Sequence, residues 1–250
     1  MNTVDTYREF AQFYDLYTTN FKIDLPLYLH YCNEHHNILE VGCGTGRVLN
    51  SLAEAGCKVF GVDISDAMLA IAGRKLQEQI GKGTIRLKNF DFSNGPLEEE
   101  FDRVLITFYT LNYLIDVDQC QRFIQNIKKS LSNNGLILID LFYPRSFQNP
   151  ESNGVWFEKD LVVANQTIKL RDQRTVINNI ERRVQEYIAP DWEKQIITER
   201  RFYSKKEIQL ILERSGFKNI EFTDGYQIDG FHQLNSLETV KSSFVVKAEK

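Results

Sequence analysis

The sequence predicts an α/β protein built on a doubly wound, mostly parallel sheet, interrupted by a small antiparallel β insertion after the fifth strand. Three observations lead to that class. Between residues 37 and 142, short apolar runs alternate with amphipathic stretches, the pattern of repeated βαβ units joined by right-handed crossovers. The runs carry so few polar residues that both faces of each strand must be covered, as in a parallel sheet. After Phe142 the alternation stops, and two-residue periodicity takes over until about residue 203.

The elements follow in order. Residues 4–19 and 24–35 read as helices, with apolar and aromatic positions every three to four residues. Asn37–Val41 reads as the first strand, followed by a glycine turn and a helix over 46–56. Lys58–Asp63 is the expected second strand, and 66–80 a helix for which Asp66 is placed to cap the N-terminus. Thr84–Phe90 and Asp102–Thr107 are the expected third and fourth strands, Asp118–Leu131 a helix, and Gly135–Phe142 the fifth strand. Residues 155–203 are expected to form about three antiparallel strands. Asn178-Asn179, between the alternating stretches Thr167–Val176 and Ile180–Ile188, suits a hairpin turn. Ser204 caps a further helix, Glu207 completes a capping box and Gly216 ends it. Phe217–Thr223 and Ser242–Ala248 are expected to pair as the last two strands. On this reading residues 1–154 and 204–250 form one domain, and 155–203 an insertion serving as a lid or a docking surface.

Chemistry-bearing residues fall at consecutive strand ends. Glu40-Val41-Gly42-Cys43-Gly44-Thr45-Gly46 joins the first strand to its helix, where glycines allow a sharp turn and close approach to a ligand. The third glycine comes one residue too early for a dinucleotide fingerprint, which would place it at Arg47. Asp63 closes the second strand, where a carboxylate can accept both hydroxyls of a ribose; its alternative role is a charge at the start of the next helix. Asp91 closes the third strand, where it could meet an adenine amino group while a neighbour such as Phe92 covers the ring; the alternative is a turn residue.

Through EVGCGTG, GVDISDAML, the Asp91-Phe92 pair, FDRVLITF and NNGLILID, residues 38–142 resemble the class I S-adenosylmethionine-dependent methyltransferases, a seven-stranded Rossmann-like family ending in an antiparallel hairpin. FAQFYDLY resembles the N-terminal helix of small-molecule members. The resemblance implies that Gly42, Gly44 and Gly46 line the amino-acid part of the cofactor and that Glu40 supports the loop or reaches the amino group through water. It further implies that Asp63 binds the ribose, Ile64 and Met68 flank the adenine, and Asp91 with Phe92 meets its edge and face. Tyr14 would cover the methionine end, and Thr107, at the end of the fourth strand, is a further expected cofactor-binding residue. S-adenosylmethionine is thus the implied cofactor and S-adenosylhomocysteine its product. Met68 is as readily core filler.

The acceptor side is less defined. Tyr109, Asn112 and Tyr113 follow the fourth strand, where a family acceptor approaches the methyl group, and His232 lies in an aromatic-bearing loop. Tyr109, Tyr113 and His232 are therefore the candidate bases, against helix-start packing for the tyrosines and a solvent-exposed loop for the histidine. The Asn/Asp-Pro-Pro-aromatic signature of some amine and DNA methyltransferases is missing. No metal-ligand spacing is present.

Composition sets the outer limits. At 42% hydrophobic and 26% charged the chain is ordinary globular material, and a net charge of −4 makes a phosphate-tracking nucleic-acid surface an unfavoured reading. Cys32, Cys43, Cys57 and Cys120 lack metal or redox spacing, as expected of reduced thiols in the cytoplasm. MNTVDTYREF has no basic and apolar leader pattern, and no run suits a bilayer span. The function expected is methyl transfer to N, O or C of a small molecule, with a homodimer through the insertion as a further expectation. A non-catalytic partner-binding module, an RNA methyltransferase and a nicotinamide dehydrogenase are the competing readings.

Overall fold

The computed structural model describes residues 11, 13–15, 18, 20–163, 166–234 and 243–250. The expected helix over 4–19 falls largely outside them, and its described residues 11, 13–15 and 18 are helical.

A seven-stranded sheet holds β1 (Asn37–Val41), β2 (Lys58–Asp63), β3 (Ile85–Asn89), β4 (Phe101–Ile106), β5 (Leu131–Leu141), β10 (Lys218–Asp224) and β11 (Phe244–Glu249) in the order β10-β11-β5-β4-β1-β2-β3. The five strands from β3 to β5 are parallel. β11 runs antiparallel to both β5 and β10, so the expected terminal pair forms with its later strand on the inside.

Alternate residues of the central strands point to opposite faces, as the pleat requires. Leu39, Val41, Val104, Ile106, Ile137 and Ile139 face Phe123, Ile124 and Ile127 of the helix Val117–Lys129 and Ile208, Ile211 and Leu212 of the helix Lys205–Arg214. Ile38, Leu105 and Leu138 face the other way. They pack with Leu27 and Tyr28 of α1 (Leu25–Tyr31) and with Val48, Leu49 and Leu52 of α2 (Arg47–Glu54). Helices on both faces account for the uniformly apolar strands.

The helix expected over 66–80 is two, α3 (Asp66–Lys75) and α4 (Gln77–Gly81). Its N-cap is Ser65, not Asp66: the Ser65 hydroxyl accepts from the Met68 amide at 3.4 Å, and Asp66 sits in the first turn. Ser and Asp are near-equal cap formers, so adjacency alone does not decide between them. The capping box of Ser204 and Glu207 is present as expected.

The insertion has four strands, one more than the alternation indicates. They are β6 (Trp156–Val163), β7 (Gln166–Ile177), β8 (Ile180–Ile188) and β9 (Glu193–Arg201), in a meander of that order. β6 escapes the pattern because Glu158-Lys159-Asp160 break its alternation, as an exposed edge strand permits. Asn178 and Asn179 both adopt positive φ, the signature of a tight hairpin turn between β7 and β8. Ile168, Leu170, Tyr187 and Ile196 of this sheet pack on Ala11, Phe13 and Met68. Tyr187 stacks on Phe13 with centroids 4.9 Å apart. The insertion is therefore anchored over the N-terminal segment and α3, at the carboxyl ends of the parallel strands.

Candidate functional site

Strand order reverses between β1 and β4, and a crevice opens beyond their carboxyl ends, the usual ligand position in doubly wound sheets. The cavity there encloses about 920 Å³ of empty space, open mouth included.

Its first wall is the glycine loop after β1. Gly42, Gly44 and Gly46 have φ of +72°, +55° and +84°, a region that residues with a Cβ rarely enter. At Gly42 a Cβ would also meet Thr110 Cγ2 at 2.4 Å, so no larger residue fits between the loop and the segment after β4. The Gly42 and Cys43 amides donate to the Val62 carbonyl, which locks the loop onto β2. Asp63 completes the lock. One carboxylate oxygen accepts from the Gly44 amide and the other from the Ser65 amide, both at 2.8 Å. Each oxygen keeps accepting capacity for a ligand hydroxyl. Burial raises the Asp63 pKa, and the amide hydrogen bonds work against that rise.

Glu40 lies beneath this loop and is 1% exposed. Its Oε1 accepts from Thr107 Oγ1 at 2.7 Å, and its Oε2 is buried with no hydrogen-bond partner among the described residues. Burial pushes its carboxyl up to about 8, with the Thr107 hydrogen bond and Arg47 pulling the other way. An under-satisfied acid beneath a glycine cradle suits a ligand carrying an ammonium group.

The second wall comes from β3. Asp91 accepts from the Ser93 amide at 2.7 Å and lines the cavity. Phe90, Phe92 and Phe123 form an apolar face beside it, with Ile64 and Met68 from the β2 side. Such a surface suits a flat heteroaromatic ring.

The third wall follows β4. Phe108 and Tyr109 are consecutive residues with positive φ, +49° and +68°, a conformation disfavoured in any residue with a Cβ. It turns the chain sharply, and Phe108, Thr110, Tyr113 and Leu114 line the cavity. Phe108 packs edge-on against Tyr14, 6.2 Å away between centroids. Arg200 of β9 also lines the cavity, bringing the insertion into the site.

The structure thus brings Tyr14, Gly42, Gly44, Asp63, Ile64, Met68, Asp91 and Phe92 to one cavity. Glu40 and Thr107 sit behind it as a buried pair. Gly46 starts α2 and faces Leu76. Of the acceptor-side candidates, Tyr113 lines the cavity. Tyr109 turns away, its amide donating to Asp140 at 2.6 Å, and burial raises its phenol pKa. Asn112 is wholly buried and bonds the Arg201 carbonyl and the Phe142 amide, so it ties the β4 loop to β9 and β5. His232 is exposed, bridges to Phe222 and contacts the Gly230 carbonyl, outside the cavity lining. Arg47, at the dinucleotide third-glycine position, pairs with buried Asp24 and the Phe21 carbonyl. Sequence reasoning missed Phe90, Phe108, Thr110, Leu114, Phe123 and Arg200. Only the strained β4 turn had a local signal, its aromatic pair just past a strand end.

Among the described residues no His, Cys, Asp and Glu are grouped to hold a metal ion, and no helix is long and apolar enough to cross a membrane. All four cysteines are free and buried.

Parts of the chain and its fold are similar to known proteins. Residues 38–135 match the family described as a methyltransferase domain. A protein of Geobacillus sp. (strain WCH70) named as a methyltransferase is 38% identical over 106 residues, 42% of this chain and 41% of that one. The dTDP-4-amino-2,3,4,6-tetradeoxy-D-glucose N,N-dimethyltransferase of Saccharopolyspora spinosa is 34% identical over 116 residues, 46% of this chain and 44% of that one. Both matches span less than half the length of those relatives. The crystal structure of an S-adenosylmethionine-dependent methyltransferase from Clostridium acetobutylicum ATCC 824 superposes over 97% of this chain and 98% of that one, with a TM-score of 0.76 at 19% identity. Residues 38–135 thus match a methyltransferase-domain family, in a chain whose fold is similar to that of the Clostridium acetobutylicum S-adenosylmethionine-dependent methyltransferase.

Proposed function

We propose that the chain is an enzyme that moves a methyl group from S-adenosylmethionine to N, O or C of a small molecule. The observation that carries the reading is the convergence of three consecutive strand ends, the β1 glycines, Asp63 and Asp91, on one cavity. The residues fit the cofactor part by part. The glycine loop gives close approach for the amino-acid chain, with Glu40 beneath it for the ammonium. Asp63 retains lone pairs for the ribose, and Asp91 stands beside the aromatic face for the adenine.

When bound, the sulfonium supplies an already activated methyl group. The chain's own residues then have three tasks: to fix the cofactor, to place the acceptor in line behind the methyl carbon, and to keep water out. Phe108, Leu114 and Tyr113 border the position where an acceptor would sit, and Tyr14 and the insertion close it from above. Burial holds the Tyr14 phenol well above its ordinary pKa, so it acts as a hydrogen-bond donor at neutral pH and not as a base. Tyr113 is the base candidate that borders this position. The Saccharopolyspora relative's amino-sugar acceptor is the kind of small molecule such a cavity admits.

A homodimer through the insertion is part of this proposal. Val162 and Ile177 are 76% and 66% exposed on the face of the insertion opposite Ile168 and Leu170, apolar side chains that a protein contact there would cover. The cytoplasm is the proposed location, in keeping with four free thiols.

The test is calorimetric titration with S-adenosylmethionine and, separately, NAD, on the wild type and Asp63→Ala. Micromolar binding of the sulfonium alone, lost in the variant, is expected. A preference for NAD, or binding of neither, would overturn the reading, and in the second case a partner-binding module would replace it.

A further inference from the structure

The acceptor side of the cavity holds a charged group that the methyl-transfer reading leaves without a task. Arg200 projects from β9, and its side chain is 11% exposed. It donates through Nη2 to Glu181 of β8, which is 1% exposed, and its guanidinium lies over the Phe142 ring at 4.1 Å from the centroid. The fork is thus held in place on two sides. Its hydrogen bonding is nevertheless incomplete: Nε is buried with no partner among the described residues.

Nothing in the insertion's own architecture calls for this arrangement. β8 and β9 are already joined by a continuous antiparallel ladder from Ile180–Arg201 to Ile188–Glu193. A buried ion pair is generally no more stabilising than apolar side chains of the same shape, and an orphaned donor is a further penalty. A charge kept under those terms in the wall of a ligand cavity is best explained by the ligand. Among the described lining residues the two carboxylates, Asp63 and Asp91, stand at the ends of β2 and β3, and the cation enters from the insertion.

We infer that Arg200 binds an oxyanion of the methyl acceptor, a carboxylate or a phosphate, and so restricts this chain to anionic acceptors. The inference rests on the cofactor assignment above, because that assignment leaves Arg200 to the acceptor. The planar fork suits a two-oxygen group, as a lysine would not. Glu181 acts through Arg200 as a positioning residue: it aims the fork and competes with the ligand for its charge.

The experiment is calorimetric titration with benzoate, phenyl phosphate and benzamide, each with and without saturating S-adenosylhomocysteine. Wild type should bind one of the two anions and not the neutral amide, and the preferred anion tells carboxylate from phosphate. Arg200→Met should weaken anion binding about tenfold or more, with S-adenosylhomocysteine binding as the control for folding. Glu181→Gln, which keeps the shape of the pair but removes the competing charge, should tighten it. Should Arg200→Met not fold, Arg200→Lys replaces it, with the same weakening expected from loss of the fork. Equal binding of benzamide and benzoate, anion binding unchanged by the Arg200 substitution, or parallel losses in the Arg200 and Glu181 variants would overturn the inference. Wild type that binds anions but not S-adenosylhomocysteine would instead sink the cofactor reading, so the two fail separately.

Discussion

A carboxyl held up to about 8 by burial, as at Glu40, changes the pH dependence of the whole chain. The folded state holds this proton more tightly than an exposed glutamate, whose pKa is the ordinary 4.5. The stabilisation is therefore complete below about 4.5 and is lost as pH rises through about 8. Glu40→Gln removes that dependence. Its melting temperature should match wild type near pH 4 and exceed it increasingly up to pH 8, while S-adenosylmethionine binding weakens about tenfold. Melting curves that shift in parallel at all pH values would exclude Glu40 as the titrating group. Gly42 sets a steric limit at the same place. Gly42→Ala combines a positive φ with a contact at 2.4 Å to Thr110 and should lower stability by about 1–3 kcal/mol. Adding Thr110→Ala should restore only the steric part, as read from urea unfolding. Both residues belong to a motif contiguous in sequence, which is why they were legible there.

At the scale of elements, Asp140 at the end of β5 joins three parts of the chain. It accepts from the Tyr28 hydroxyl of α1 at 2.9 Å, the Tyr226 hydroxyl of the loop after β10 at 2.8 Å, and the Tyr109 amide after β4. Burial raises its pKa to about 6, and those hydrogen bonds oppose the rise. Asp140→Ala would leave two tyrosine hydroxyls and an amide without their acceptor, and should destabilise by about 3 kcal/mol or more in urea unfolding. A loss below about 1 kcal/mol would mean that water replaces the carboxylate. No sequence pattern announces this clamp, because Tyr28 and Tyr226 lie 112 and 86 residues from Asp140. The same holds for Arg200, which has no local signal and gains its place only when β9 is set beside the cavity. Elements defined by local rules were legible: the glycine turn, the Asn178-Asn179 hairpin and the Ser204 capping box. Ser65 and β6 were not, the first because two good capping residues stand side by side, the second because an edge strand needs no apolar alternation.

For the molecule as a whole, the insertion has two faces with different work. Tyr187 and Trp192 cover Phe13 on the inner one, with centroids 4.9 and 5.5 Å away, and so hold the N-terminal segment over the site. The opposite face carries Val162 and Ile177. If they form the dimer contact, Val162→Glu should halve the mass measured by light scattering and leave cofactor binding intact; a monomeric wild type would remove the dimer from the proposal. The strand order has a kinetic meaning as well. β11, the last strand in the sequence, lies between β5 and β10, so a chain emerging from the ribosome cannot close its sheet until Phe244–Glu249 has appeared. Until then the edge of β5 that β11 covers stays unpaired and open to wrong pairing.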